Sequence, residues 1–271
     1  MSTTAARPNH TQVDRRFGLS TRQFKKEYLY AGKPVVLTDL TDGWRARSAW
    51  TLDYFKSRYG NSMVPVYRLT GHRYRADDVE MMKLASFIQN VQNNDFAAYP
   101  CYVRDDAQLF NTHRELLADY KVPDYFFDWF KLLPSFMRLE YPTIFVGPKG
   151  AITPLHHDIW KTHSWLAQLV GRKRWILFSP DEKNFLYDYN VQPHNPDLKK
   201  FPLFLNTKPL ECIIGPGDLI FVPTGWAHEV ISLDATVSIT HNYMAPGCFG
   251  SALTSCVREK LIDRVKQQFA R

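Results

Sequence analysis

Through the second half of the chain, apolar positions come in short blocks divided by Gly/Pro turns. From Thr143 onward the blocks read TIFVG, ITPLHHD, SWLAQLV, KRWILFSP, LECIIG, LIFVPTGW, AHEVIS and ATVSITHNYM. GPKG, a Gly171-Arg172 turn and GPGD punctuate them. Short strands at this spacing predict an antiparallel sandwich or barrel. The first half is mixed. Residues 20–31 predict a helix, with Ser20 as N-cap, Gln23 three positions later, and Phe24, Tyr28 and Leu29 on one face. PVVLTDL (34–40) reads as a buried strand, TLDYFKSRYG (51–60) as a short helix stopped at Gly60, and MVPVYRL as a strand. DDVEMMKLASFIQNVQ (77–92) reads as an amphipathic helix with Met81, Leu84, Ala85 and Ile88 on one side. Residues 106–142 are irregular and aromatic-rich. Residues 250–271 predict a helix with Leu253, Val257, Leu261 and Val265 at spacings of four.

Two segments carry candidate chemistry. In ATVSITHNYM, Thr236, Ser238, Thr240 and Asn242 share one face, and Val237, Ile239, His241 and Tyr243 the other. A polar face meets solvent in a solid sandwich and lines the cavity in a barrel with an internal site; alternation alone leaves both open, with solvent the default. In TPLHHDIW, His156 and Asp158 are i and i+2, so on a strand they point to one face and His157 to the other. His228 follows the GPGD turn and LIFVPTGW. Two imidazoles and a carboxylate on neighbouring strands would occupy three positions of an octahedral ion and leave three open, an arrangement that suits non-haem Fe(II). The competing reading is one packed histidine and an exposed Asp-His pair, because nine histidines make chance pairings common.

Composition narrows the classes. The chain has 271 residues, 45% hydrophobic and 23% charged, which excludes full disorder. No apolar run reaches the roughly 18 residues of a membrane helix. MSTTAARPNHTQVDRR has no apolar h-region, so residues 1–19 are expected to be a flexible tail rather than a secretory signal or, less favoured, a mitochondrial presequence. The net charge of +7 is scattered in small clusters, so a solvated basic surface is favoured over nucleic-acid binding. Four cysteines without CxxC spacing argue against a zinc site and for reduced thiols, hence a cytoplasmic setting, or a nuclear one in a eukaryote.

The order and spacing of TPLHHD, GRKRWILFSP, GPGDLIFVPTGWAHEV and SITHN resemble Jumonji-C domains, the cupin-fold family of Fe(II)- and 2-oxoglutarate-dependent oxygenases. GKPVVLTDLTDGW…AWTLDYF is similar to the opening of the family's small hydroxylases, so the resemblance covers about residues 20–245. Within the family, HDIWKTHSWLAQLVGRKRW and VPTGWAHEVISLDATVSITHN look most like Jumonji domain-containing protein 4-type hydroxylases. The resemblance implies a mainly β chain with flanking helices around a double-stranded β-helix (cupin, jelly-roll) core over 20–249. It implies His156, Asp158 and His228 as ligands of Fe(II), with 2-oxoglutarate and O2 as cosubstrates. Lys173 would pair with the distal carboxylate of 2-oxoglutarate; the alternative turns Arg172 or Arg174 inward. Tyr102, in YPCYVRD, would hydrogen-bond the cosubstrate carboxylate unless it is a core tyrosine. Thr240 and Asn242 would lie beside 2-oxoglutarate or the metal's water, and Thr153 is a weaker candidate. Where many relatives carry an Asn ahead of the Gly-x-Lys turn, this chain reads THSWLAQ, leaving Ser164 or no contact. Trp160 and Trp226 are entrance walls or aromatic core.

The implied activity is hydroxylation of a residue of a protein substrate, a lysyl residue of a translation-related protein being one candidate. Alternatives are a small molecule, a peptide natural product or a tRNA base, and a non-catalytic binding cupin. Related hydroxylases pair through C-terminal helices, so residues 250–271 are expected to form a homodimer or, equally, to pack on their own subunit.

Overall fold

The computed structural model describes residues 11–68, 79–95, 101–106, 108–134, 138 and 142–258. In chain order its strands are β1 (Thr11–Gln12), β2 (Asp14–Arg16), β3 (Val35–Leu37), β4 (Met63–Arg68), β5 (Val79–Lys83), β6 (Cys101–Asp106) and β7 (Thr143–Gly147). They continue with β8 (Ile152–His156), β9 (His163–Val170), β10 (Lys173–Phe178), β11 (Leu210–Ile214), β12 (Leu219–Val222), β13 (Ala227–Ser232) and β14 (Thr236–Tyr243). One sheet has the order β1-β11-β10-β13-β8, and the other β2-β3-β12-β9-β14-β7-β6-β4-β5. From β11 to β14 the chain alternates between the sheets, the winding expected of a double-stranded β-helix, so the jelly-roll core is present.

Alternation assigns each strand's faces. On β9 and β12, Leu166, Ile220 and Val222 pack inward against Trp175, Leu177 and Val230 of the facing sheet. Their neighbours Trp165, Leu219 and Phe221 point outward, into a layer that includes Phe24, Trp50, Phe87 and Phe126. Strand β9 is therefore buried on both sides, which explains its near-continuous apolar run. Each fully buried ring in the outer layer contributes up to about 3 kcal/mol of transfer free energy, enough to hold short helices against the sheet.

Several sequence expectations need correction. Residues 77–92 are not one helix: Val79–Lys83 pairs antiparallel with β4, and the helix is Leu84–Asn93. Met81 is half exposed on this edge strand, while Leu84, Phe87, Ile88 and Val91 form the buried stripe of the helix. The segment VEMMK supplies backbone to an open sheet edge, so side-chain periodicity carries little information there. The tail expectation fails for residues 11–16, which pair in parallel with β11 and β3. The helix at 20–31 starts at a Ser20 capping box as Thr21–Phe24, then widens to a π-turn over Lys25–Leu29. At the other end a helix spans 249–258, with Ala252 and Cys256 buried, Leu253 half-buried and Val257 exposed. Leu261 and Val265 lie outside the described residues. No helix among the described residues is long and apolar enough to cross a membrane.

Candidate metal centre

Strand pairing brings the three candidate ligands together. His156 ends β8 and stands opposite His228 of β13, and a register shift follows between His228 and Val230. The two imidazole rings are 4.4 Å apart. Asp158, just past the end of β8, keeps an extended backbone at φ −63°, ψ 152°, so it remains on the His156 face. One ligand atom from each of His156, Asp158 and His228 lies within 4.8 Å of the others.

Protonation suits a cation. His156 Nδ1 is 2.7 Å from the Pro154 carbonyl and His228 Nδ1 is 3.2 Å from the Trp226 carbonyl. A carbonyl only accepts, so each Nδ1 carries a proton, which leaves Nε2 as the nitrogen that can ligate a metal. Burial, reinforced by His228, pushes His156 down to about 4. Burial alone would push Asp158 up, but His228, His156 and hydrogen bonds from Ser164 and Asn242 hold it below the usual carboxylate range. The Ser164 hydroxyl donates to Asp158 at 2.7 Å. Two imidazoles and a carboxylate form a donor set that fits Fe(II) and similar divalent ions.

The ligands open into a cavity of about 300 Å³ that also exposes Lys173, Trp175, Tyr102, Thr153 and the polar face of β14. Thr240 and Asn242 thus face the interior rather than solvent. Thr240 donates to the Trp165 carbonyl at 2.7 Å, and the Asn242 amide to the Thr162 hydroxyl at 3.0 Å. Of the three basic residues after Gly171, Lys173 turns inward. Arg172 pairs with Asp234 and Arg174 with Glu211 on the outer side. Gly171 sets this parity: its φ is +68°, and a Cβ there would collide with the Ala235 carbonyl.

Lys173 is only 6% exposed, and its ammonium donates to Ser238 at 2.8 Å. The ring of Phe145 lies 5.3 Å from it. Burial pushes it down to about 7. Trp175 stacks on His228 at 5.3 Å, and its buried indole N–H has no hydrogen-bond partner. The cavity therefore offers a buried cation beside the ligands, a complement to an anion such as 2-oxoglutarate.

Tyr102 lines the cavity and stacks between Tyr67 at 5.9 Å and Phe145 at 5.6 Å. Trp160 and Trp226 do not line it. Trp160 packs on Phe130, and the Trp226 indole donates to the Gly32 carbonyl at 2.9 Å. Arg104, passed over in the sequence reading, shares the Tyr102 face and lines the cavity. The i, i+2 spacing in YVRD was the signal for it. Outside the mouth, a groove of about 370 Å³ continues over Arg104 and His156 to Asp188 and Tyr189.

The cupin-like domain family matches residues 21–247. The chain is 31% identical over 264 residues to the arginine-specific demethylase JMJ20 of Arabidopsis thaliana, covering 86% of this chain and 57% of that protein. It is 32% identical over 248 residues to the 2-oxoglutarate and iron-dependent oxygenase JMJD4 of Danio rerio, covering 83% and 58%. It is 31% identical over 246 residues to the bifunctional arginine demethylase and lysyl-hydroxylase psr-1 of Caenorhabditis briggsae, covering 83% and 59%. The chain spans less than two thirds of the length of each of these relatives. With the winding of its strands and a match across most of its length, the chain belongs to the cupin-like domain family, among its Jumonji-type members.

Proposed function

We propose that this chain is an Fe(II)- and 2-oxoglutarate-dependent oxygenase that hydroxylates a residue of a protein substrate. The observation that carries this reading is one cavity holding both the convergent His156, Asp158 and His228 and a buried Lys173 with a hydroxyl as its hydrogen-bond partner. Iron bound there, with 2-oxoglutarate and O2, supplies the oxidising power to convert a substrate C–H into C–OH, releasing succinate and CO2. The protein's own part is positional. Lys173 holds the distal carboxylate of the cosubstrate, and filling the cavity with that anion compensates the desolvation that depresses the ammonium. Tyr102, Thr153 and Thr240 line the same cavity from both sheets. Asn242 and Ser164 keep Asp158 ionised and fixed in direction. Apolar walls from Trp175, Leu166 and Val230 exclude bulk water from the reacting atoms.

A protein residue as substrate is supported by the groove outside the mouth, whose volume of about 370 Å³ leaves room for a side chain to reach the centre. Names of the relatives point the same way, one being a lysyl-hydroxylase and arginine demethylase. We place it in a reducing, cytoplasmic setting, in keeping with four buried cysteine thiols. In the dimer reading the exposed flank of the helix at 249–258 meets a second copy, and sedimentation as a monomer at micromolar concentration would remove that idea. The activity is tested by succinate release from purified protein with Fe(II) and 2-oxoglutarate, with and without candidate substrates. Mass spectrometry of proteins and RNA from cells lacking the enzyme identifies the class. A lost hydroxylation on a protein supports the reading, and one on RNA or a metabolite replaces it.

A further inference from the structure

His156 and His228 are held by a ladder of backbone hydrogen bonds between β8 and β13. Asp158 lies beyond that ladder, and its place depends on the loop that carries the chain from β8 to β9. That loop is strained. Trp160 has φ 52°, ψ 20°, and Lys161 follows with φ 53°. Two bulky residues in succession in the left-handed region are costly and persist only where their surroundings impose them.

The surroundings here can be named. The Trp160 ring is 8% exposed and lies 5.7 Å from that of Phe130. It belongs to a buried cluster with Met244, Cys248, Ala252 and Cys256, the last two on the helix at 249–258. On the other side, the Thr224 hydroxyl donates to the Lys161 carbonyl at 2.5 Å. Thr162 is fully buried and donates to the Ile159 carbonyl at 2.7 Å. The left-handed pair reverses the chain so that Ser164 returns to within 2.7 Å of Asp158. Extended backbone at 160–161 would carry Ser164 away from the carboxylate.

We propose that Trp160 is a positioning residue for Asp158, and that the C-terminal helix, by closing on the Trp160 ring, sets the affinity of the centre for its metal. This rests on the metal-centre reading above. Co(II) is the probe, with affinity and visible absorption measured at a temperature where every variant is folded. Trp160→Gly accepts the backbone angles but loses the pin, and is expected to bind Co(II) about tenfold to a hundredfold more weakly, with an altered spectrum. Trp160→Phe, which returns a ring to the cluster, is expected to restore affinity and spectrum. Thr224→Val removes only the latch on Lys161 at a surface position, so it carries the test if Trp160→Gly does not fold; about threefold weaker binding is expected. Wild-type affinity and spectrum in Trp160→Gly or, failing its folding, in Thr224→Val would overturn the proposal and leave Trp160 a core residue. Asp158→Ala is the control: if it binds Co(II) as wild type does, the centre itself is wrong and the proposal falls with it.

Discussion

The two faces of the β9–β14 pair bury similar residue types to opposite ends. Facing its inner side, His156 and His228 of the opposite sheet and Asp158 meet with their ligand atoms free to converge. On the outer face lie His163, His241 and Asp128, again two imidazoles and a carboxylate, among the rings of Trp165, Tyr243 and Phe126. There Asp128 and His163 are already committed, and the Nδ1 of His241 is buried with no partner. Asp128 accepts from the backbone N–H groups of Phe130 at 2.9 Å and Met244 at 3.0 Å. His163 Nδ1 accepts from the Thr224 N–H at 3.1 Å. Burial pushes His163 down to about 4, so it stays a neutral packing residue. A site is therefore defined less by which residues are buried than by whether their free ligand atoms converge on one point, as those of His156, Asp158 and His228 do.

The largest expected effect separates the faces outright. His156→Ala, Asp158→Ala or His228→Ala should each reduce 2-oxoglutarate turnover to background while leaving the fold intact. Asp128→Ala should do the reverse, keeping the cosubstrate KM but losing about 1–3 kcal/mol for each stranded N–H, seen in denaturant titration. Turnover in His228→Ala with added Fe(II) at the wild-type rate would erase the distinction.

Next in size is the anion anchor. Lys173→Ala should raise the KM for 2-oxoglutarate several hundredfold, from a loss of about 3–5 kcal/mol, with metal affinity unchanged. Lys173→Arg should not restore it, because a planar fork does not fit a pocket shaped for an ammonium. An unchanged KM would move the anchor to Arg104, which also lines the cavity.

A third test uses pH. Lys173 titrates at about 7 in the ligand-free fold against about 10.4 in an unfolded chain. Between those values the unfolded chain binds the extra proton, so stability should rise with pH; the penalty is fully present below 7 and relieved toward 10. Lys173→Met should flatten this slope between pH 7 and 9, and a slope equal to wild type would place the ammonium in water. The smallest effect compares two unpaired indoles, Trp175 in the cavity and Trp165 in the outer core. Trp175→Phe should weaken 2-oxoglutarate binding a few-fold, and Trp165→Phe should leave it unchanged, by calorimetric titration.

What could be read from the chain followed strict periodicity. The HxD spacing placed His156 and Asp158 on one face, and the alternation of β14 put Thr240 and Asn242 together. Periodicity could not say whether that polar face met water or a cavity, because the answer depends on the second sheet. Nor could it choose among Arg172, Lys173 and Arg174, where a single glycine turn decides the parity. Strands β1, β2 and β5 were missed because edge pairing is made by backbone, and DRR or VEMMK gives no apolar signature. The roles of Trp160 and Trp226 also escaped, since an aromatic beside a ligand looks the same whether it faces the substrate or the core.

Residues 11–16 have a consequence for how the chain reaches this state. Thr11–Gln12 joins one sheet and Asp14–Arg16 the other, with Val13 buried between them in the interior cluster. The partner of Thr11 is Leu210. The earlier segment must wait for one that lies 199 residues later (210 − 11) before the two sheets are stitched along this edge. Contacts so distant in sequence form late and slow the search. The barrel is thus expected to close only after translation has passed β11, and a chain begun at residue 20 should assemble its sheets yet hold them together less durably.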